Sequence, residues 1–393
     1  MLRPPSAPTS DDRPGSRWGV PVPPPAIIFV CAAGLAILGL TVLFSASVSF
    51  NQGPYYYLKK QLGWLVLSGL VCYATSCVDI EYLRRRVWVI AGLALAGLVL
   101  VRIPHVGILV NGSRRWLGYG PLRLQISEFA KLALVFWLAH YLALNQTRIS
   151  EFKHGFLYPA LAIALFTGLV AVEPDLGTAA LMGLMGFLLL FLAGARLRYL
   201  LPMLPLAAGA FSLMVWVMPN RLARFLAFLD VEGNRDHLSY QLWQAWLALA
   251  SGGMDGVGLG QGRQQIHFLP EAHTDFIFAV IGEELGLRFT LLVVLLFAII
   301  FAAGIIHLRK APNLFQYLLV AGCLLLISLQ AIINLGVVTG LLPTKGMSLP
   351  FISAGGSNLL LMGLLLGIIL NTQRSWTRPV LMKRARALKE VLV

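Results

Sequence analysis

Apolar segments close to the length of a bilayer-spanning helix recur along the whole of this 393-residue chain. A transmembrane α-helix needs about 20 consecutive, mainly apolar residues to cross the hydrocarbon core of a bilayer. Hydrophobic residues make up 58 % of the sequence and charged residues only 12 %. These features predict an all-α, polytopic membrane protein rather than a chain of soluble domains.

The spacing of the apolar segments predicts about ten transmembrane helices in one membrane domain, residues 26–373. A Pro- and Ser-rich segment, residues 1–25, predicts a disordered N-terminal tail. Residues 374–393 are predicted to form a basic C-terminal tail. The predicted spans are 26–48, 60–78, 87–103, 126–145, 156–172, 176–195, 199–218, 276–306, 314–338 and 357–373. The predicted exterior loops are 104–125, 219–275 and 339–356.

The positions of Lys and Arg predict the orientation of the chain. With both termini in the cytoplasm, 18 of the 31 basic residues fall in cytoplasmic segments, and the short loops follow the positive-inside rule. This orientation predicts a multi-pass protein of the cytoplasmic (inner) membrane. The net charge of +14 then reflects topology and attraction to anionic membrane lipids. Because the basic residues are dispersed over short loops, nucleic acid is not a predicted partner.

The predicted exterior loop 104–125 departs from the positive-inside rule, since it places Arg114, Arg115 and Arg123 beside Trp116. Arginine binds phosphate through paired hydrogen bonds, and tryptophan favours the membrane interface. Two interpretations stay open. The loop either anchors the protein to phospholipid head groups or forms a site for an anionic, lipid-linked substrate.

Ionisable residues also lie at or within the predicted spans. Glu128 and Lys131 are three residues apart on one helix and share a face, so they either neutralise each other or line a polar cavity with Arg123. The short connection "VEPDLGTAA" carries Glu173 and Asp175. Asp175 is interpreted as an ordinary helix start or as part of a site.

The loop "TGLLPTKGMSLPFISAGGSN", residues 339–358, has Lys345 as its single charged residue. Irregular backbone at membrane depth is tolerated only against protein or a wet cavity. The loop is therefore predicted to be re-entrant or partly buried.

The stretch "LPEAHTDFIFAVIGEELG", residues 269–286, places Asp275 at the mouth of an apolar span. Partial desolvation raises the pKa of a carboxyl group, which suits a general base. The alternative is that Asp275 only caps a helix. His273 is interpreted as a structural hydrogen-bonding residue more readily than as a proton shuttle. Glu283 lies eight residues further on and is not expected to pair with Asp275.

Four ordered motifs resemble the SEDS family (shape, elongation, division, sporulation) over most of the chain. They are "NGSRRWLGYGPLRLQISEFAK", "EPDLGTA", "LPEAHTDFIFAVIGEELG" and "GLLPTKGMSLPFISAGGSN". The motif "LPTKG" is more similar to the division branch, FtsW, than to the elongation branch, RodA.

The resemblance implies a SEDS-type fold and an inverting peptidoglycan glycosyltransferase that polymerises lipid II on the outer face of the membrane during septal cell-wall synthesis. It places the essential carboxylate of the family on Asp275 and its substrate-binding residues on Arg114, Arg115, Trp116, Arg123, Lys131, His273 and Lys345. Glu128, Glu173 and Glu283 are further candidates for supporting roles. A divalent cation, Mg²⁺ or Mn²⁺, is an open expectation as cofactor.

The resemblance also implies partners, a class B penicillin-binding protein that acts as septal transpeptidase and other division proteins. Local departures from the family pattern are Gln265 for a common Lys, Gly262 for Ser, Ile126 for Pro and Ala354 for Tyr.

Two other functions stay open at this point, a lipid II flippase or transporter and a non-enzymatic scaffold of the division site.

Overall fold

The computed structural model describes residues 22–47, 54–110, 113–119, 122–264 and 268–391. Helices dominate it, as the apolar periodicity predicts. In chain order they are α1 (Pro24–Ser47), α2 (Pro54–Cys77), α3 (Ile80–Arg85), α4 (Val87–Leu100), α5 (Ile126–Leu144), α6 (Tyr158–Val172), α7 (Leu176–Leu192), α8 (Leu197–Leu200), α9 (Met203–Val217), α10 (Pro219–Leu229), α11 (Tyr240–Gly252), α12 (Ile277–Leu308), α13 (Leu314–Val338) and α14 (Gly356–Val391). A 3₁₀ turn, Gln146–Arg148, and a π-helical turn, Lys153–Leu157, join α5 to α6.

Each of the ten predicted spans coincides with a helix. Within the described residues, seven helices are long and apolar enough to cross a membrane. The α4 and α7 helices are apolar but shorter, and α2 begins six residues before its predicted start, with two lysines in its first turns. The mainly helical membrane architecture is confirmed, and the count of ten spans stays a prediction.

The helices pack through small residues as well as large ones. In a bilayer, helix association depends on close packing and interhelical hydrogen bonds, because lipid tails are as apolar as leucine. Helix α14 lies along α2, where Gly363 faces Ser68 and Gly367 faces Cys72 with no room for a Cβ atom. The Ser68 hydroxyl donates to the carbonyl of Leu359 at 2.6 Å. Helix α1 packs on α12, and α5 lies against α4 and α13.

The loop 104–125, predicted to be exterior, contains a three-stranded antiparallel sheet that the sequence reading did not predict. Its strands are β1 (Ile108–Val110), β2 (Ser113–Tyr119) and β3 (Leu122–Gln125). The register pairs Trp116 with Gln125 and Gly118 with Arg123. The Asn-Gly dipeptide in the sequence between β1 and β2 is a strong hairpin signal that could have identified the sheet.

Helix α12 is kinked at Gly286, whose φ is +77°. The loop segment 253–264 binds at this kink. The Leu287 N–H donates to the Gly253 carbonyl at 2.9 Å, and the Glu283 carbonyl accepts from the Val257 N–H at 2.9 Å. A Cβ atom at Gly286 would collide with the backbone of residues 254–256. The kink leaves backbone groups of α12 without partners in the helix, and the loop supplies their hydrogen bonds, as buried polar groups require.

The two predicted tails have different outcomes. Most of the N-terminal segment 1–25, up to residue 21, lies outside the described residues. The last helix begins at Gly356 and continues to Val391, so helical backbone extends well beyond residue 373, where the span was expected to end. The division into tails and one membrane domain remains a prediction.

We predict that Gly286→Ala lowers the free energy of unfolding by about 1–3 kcal/mol, because a side chain at positive φ is strained and would collide with the loop backbone. Thermal unfolding of the protein in detergent micelles checks this. Gly168→Ala is the matched control, since a Cβ at Gly168 meets nothing within 4 Å. Equal unfolding temperatures for the two variants would contradict the role given to Gly286.

Candidate active site

Asp275 lies in a non-helical segment just before α12 and is half buried. The helix begins at Ile277, its N-cap position is Phe276, and no side chain caps it. The alternative that Asp275 is a helix cap is therefore wrong. Its carboxylate accepts no hydrogen bond from the residues that the structure describes, which leaves it available to a ligand.

The loop after α13 enters the helical bundle beside Asp275. Leu349, Ile352 and Ser353 are fully buried, in agreement with the prediction of a partly buried loop. Gly346 is so close to Asp275 that a Cβ atom there would collide with the carboxylate oxygen Oδ2. The backbone of Gly346, the residue after Lys345, therefore packs against the Asp275 carboxyl group.

Asp175 joins two cations from separate loops. The Lys345 ammonium donates to its Oδ1 at 2.8 Å, and Arg115 Nη1 lies 3.7 Å from its Oδ2. The guanidinium of Arg115 also donates to the carbonyl oxygens of Glu173 and Pro174, both at 2.8 Å. Asp175 is at the same time the N-cap of α7, since it accepts from the Thr178 N–H at 3.2 Å. The helix-start interpretation is correct but accounts for only one of its contacts.

The charge balance keeps Asp175 ionised. Burial favours the neutral acid, but Lys345 and Arg115 outweigh it, so the pKa of Asp175 is lowered below its ordinary value. One ionised carboxylate next to two cations leaves an excess of positive charge at this point.

Sequence reasoning missed two arginines near this cluster. Arg221, in the first turns of α10, has a buried Nη1 atom with no hydrogen-bond partner in the described part of the chain. Burial and the charge of Arg115 lower its pKa, and Asp175 opposes them. Arg102 donates to the Val172 carbonyl at 2.8 Å. The amphipathic run "NRLARFLAFL", with two arginines next to a span, was the available signal for Arg221.

Glu173 is fully buried beside Arg115 and Asp175, and neither of its carboxyl oxygens has a partner among the described residues. Burial and the negative charge of Asp175 raise its pKa to about 8, although Arg115 and Arg102 oppose the rise. At neutral pH the Glu173 side chain is therefore mostly a neutral acid rather than a counter-ion.

The pKa of Asp275 is raised to about 7 by burial and by the nearby charge of Glu271. Lys345 lowers it and Asp175 raises it to smaller extents. A carboxyl group that titrates near neutral pH is suited to general acid–base chemistry at physiological pH.

His273 is half buried, and its ring lies 5.4 Å from that of Tyr57. Burial lowers its pKa, so the imidazole is mainly neutral at pH 7. Its backbone carbonyl accepts a hydrogen bond from the Ala354 N–H at 3.0 Å. These contacts agree with a structural role beside Asp275.

The other predicted site residues lie apart from the Asp175 cluster. Lys131 and Glu128 form a buried ion pair at 2.9 Å inside the bundle, where the Lys131 ammonium also donates to Gln330 at 3.1 Å. The side chain of Glu283 accepts from the backbone N–H groups of Arg263 and Gln264, at 2.7 and 3.0 Å. That carboxylate holds the loop at the α12 kink.

On the sheet, only Arg115 among the predicted residues bonds to the Glu173–Asp175 connection. Arg114 and Trp116, its neighbours on β2, are half buried, and Arg123 on β3 is exposed. Gln265, one of the departures from the family pattern, lies outside the described residues.

The comparison with protein families decides the assignment. The family described as cell cycle protein, FtsW/RodA/SpoVE, matches residues 25–378. The chain belongs to this family. A FtsW/RodA/SpoVE relative of Coxiella burnetii named "Probable peptidoglycan glycosyltransferase FtsW" is 39 % identical, with 88 % of this chain and 95 % of that one covered. The stage V sporulation protein E of Bacillus subtilis is 36 % identical, with 89 % and 97 % covered.

Two solved structures have the same fold. One, from work on how a peptidoglycan synthase complex coordinates polymerization and crosslinking, has a TM-score of 0.74 at 27 % identity and covers 89 % of this chain and 97 % of its own. The rod shape determining protein RodA of Thermus thermophilus has a TM-score of 0.66 at 27 % identity, with 88 % and 95 % covered. These similarities confirm the resemblance drawn from the four motifs.

We predict that Glu173→Gln weakens the fall in stability with rising pH between about pH 4.5 and pH 8. In that window folded Glu173 holds a proton that the unfolded chain releases, so the wild type loses stability as pH rises, whereas a neutral amide does not titrate. Unfolding temperatures measured at several pH values check this, with the exposed Glu232→Gln as control. Parallel pH profiles for wild type and Glu173→Gln would rule out a buried, protonated Glu173.

Proposed function

We propose that this protein is a peptidoglycan glycosyltransferase that polymerises lipid II into glycan strands on the outer face of the cytoplasmic membrane during septal cell-wall synthesis. The observation that carries the proposal is the position of Asp275 beside the cluster of Lys345, Arg115 and Asp175. Its carboxyl group has a pKa raised to about 7 and no hydrogen-bond partner among the described residues. Membership of the FtsW/RodA/SpoVE family and the names of the relatives support it.

Asp275 acts as the general base in this proposal. A sugar hydroxyl of one lipid-linked molecule attacks the anomeric carbon of another. The new glycosidic bond forms as the bond from that carbon to the diphosphate oxygen breaks, which inverts the configuration. The hydroxyl proton passes to the Asp275 carboxylate, whose raised pKa makes it a competent acceptor at neutral pH.

The cations of the Asp175 cluster stabilise the leaving diphosphate. Negative charge grows on the diphosphate as the glycosidic bond breaks, and fixed positive groups stabilise it most in a partly dry site. The proposed contacts are Lys345, Arg115 and the buried Nη1 of Arg221, which has no hydrogen-bond partner among the described residues. Asp175 holds Lys345 and Arg115 in place and releases Lys345 to the incoming anion. Arg114, Trp116 and Arg123 are proposed to contact the head group at the rim, and His273 to support the Asp275 segment.

A divalent cation that binds the oxygens of the substrate diphosphate is also proposed. Mg²⁺ commonly keeps several water ligands and binds substrate phosphates. The described residues contain no group of three or more His, Cys, Asp or Glu arranged for a metal, so substrate oxygens and water would supply its ligands. Bound there, the ion would supply Lewis-acid stabilisation of the diphosphate.

The proposal includes a partner and a location. The similar peptidoglycan synthase complex combines polymerization with crosslinking, and we assign the crosslinking here to a class B penicillin-binding protein, the septal transpeptidase. Both termini are placed in the cytoplasm by the distribution of Lys and Arg. Other division proteins are the further proposed partners at the septum.

We predict that Asp275→Asn lowers the turnover number for lipid II polymerisation by about 10²- to 10⁴-fold, because it removes the base and keeps the shape of the side chain. For the wild type, kcat/KM should rise with pH through a midpoint near 7, as the Asp275 carboxyl loses its proton. Glycan chain formation by the purified protein with its transpeptidase checks both expectations.

The matched control is Asp255→Asn, an exposed aspartate of the same exterior region that pairs with Arg288. Its activity should equal that of the wild type. Full activity of Asp275→Asn would move the chemistry to another carboxylate. Lipid translocation by the wild type with no glycan product would replace this proposal with the flippase.

A further inference from the structure

Three successive backbone carbonyls at the end of the loop before α12 each accept a hydrogen bond from outside their own segment. The His273 carbonyl accepts from the Ala354 N–H at 3.0 Å. The Thr274 carbonyl accepts from the Ser353 hydroxyl at 2.6 Å. The Asp275 carbonyl accepts from Asn334 Nδ2 at 2.8 Å. The position of the Asp275 backbone is thus set by groups from the α13 helix and the loop that follows it.

Asn334 makes a second contact with the same nitrogen. Its Nδ2 atom also donates to the Met347 carbonyl at 2.6 Å, and the side chain is 1 % exposed. A primary amide nitrogen carries two hydrogens, and both are used here. The reverse orientation would set the amide oxygen against two carbonyl oxygens, so the hydrogen bonds themselves define the orientation of the amide.

The two carbonyls that Asn334 joins belong to the two halves of the active site. One is that of Asp275, and the other is that of Met347, two residues after Lys345. Gly346, which lies between Lys345 and Met347 in the sequence, is in contact with the Asp275 carboxylate. A single buried side chain on a membrane helix therefore fixes the base relative to the loop that carries the cation.

Gln330, one turn earlier on the same face of α13, supports this arrangement. Its amide nitrogen donates to the Ser348 carbonyl and to the Asn358 side chain, both at 2.8 Å. Its amide oxygen accepts from the Lys131 ammonium at 3.1 Å. The buried Glu128–Lys131 pair thus contributes to the position of the same loop through Gln330.

We propose that Asn334 is a positioning residue for the glycosyl transfer, one that sets the separation between the Asp275 carboxylate and Lys345 by bridging their two backbone segments. The inference rests on the proposed function, because it assigns Asn334 a part in that reaction. It concerns turnover rather than substrate binding, since Asn334 is buried beneath the loop.

The test is Asn334→Leu, which has nearly the same shape and no donor. The matched control is Asn371→Leu. Asn371 is also buried, and its amide nitrogen also bridges two backbone carbonyls, those of Thr75 and Val78, on a different part of the bundle. Both variants are prepared as the full chain with the transpeptidase partner, and unfolding temperature, kcat, KM and pH profile are measured for lipid II polymerisation.

The inference expects similar losses of unfolding temperature in the two variants. It expects a kcat lowered about 10- to 100-fold in Asn334→Leu alone, with KM nearly unchanged, because small displacements of a catalytic group have large effects on rate. The midpoint of the pH profile should move upward in that variant. Glu271, Lys345 and Asp175 are the charged groups that act on the Asp275 carboxylate. Lys345 is the one that lowers the pKa of Asp275, and loss of the Asn334 hydrogen bonds weakens its effect.

Equal losses of kcat in Asn334→Leu and Asn371→Leu, or a wild-type kcat and pH midpoint in folded Asn334→Leu, would overturn the inference.

If Asn334→Leu does not fold, Asn334→Gln takes its place. That variant keeps both donors but moves them by one methylene, so the inference expects a lowered kcat, and a wild-type kcat contradicts it. A wild-type protein that makes no glycan would remove the proposed function and this inference together, whereas active wild type with unaffected variants removes only the inference.

Discussion

Unpaired backbone groups cannot be left inside a membrane bundle, because no water is present there to satisfy them. This constraint governs the part of the protein around Asp275, where two irregular segments, 271–276 and 341–355, enter between the helices. Side chains of α13 and the loop itself supply the missing donors. Asn334 and Gln330 satisfy carbonyls of both segments, and Ser353 satisfies the carbonyl before Asp275. The same bonds that make irregular backbone tolerable also place a carboxylate and a lysine side by side.

The electrostatics of the site follow from this placement. Glu173 is fully buried and Asp275 is half buried, and desolvation raises the pKa of both carboxyl groups. Asp175 is ionised because it pairs with Lys345 and Arg115. Three neighbouring acids thus take different protonation states at one pH. Environments that separate the pKa values of nearby acids are typical of sites where protons are transferred.

The sequence alone was sufficient for the membrane architecture, the family and the position of Asp275, because these depend on local composition and on contiguous motifs. It could not show which loops meet. Lys345 and Asp175 are 170 residues apart, Arg115 and Glu173 are 58 apart, and Asn334 and Asp275 are 59 apart. For this reason the sequence pattern associates Lys131 with the loop arginines, although its ammonium is paired with Glu128 inside the bundle. Asn334 lies in an apolar span with no local sequence signal for a role at the site, and the amphipathic run around Arg221 does not show which loop it faces.

The central claim is that the diphosphate binds at the Asp175 cluster while Asp275 faces the attacking hydroxyl. A structure of the Asp275→Asn variant with lipid II bound tests it most directly. The account predicts diphosphate oxygens within hydrogen-bond distance of Lys345, Arg115 and Arg221, the Lys345–Asp175 bond opened, and residue 275 beside the acceptor hydroxyl. A diphosphate bound at Arg114 and Arg123 instead, with Lys345 still bonded to Asp175, would contradict it.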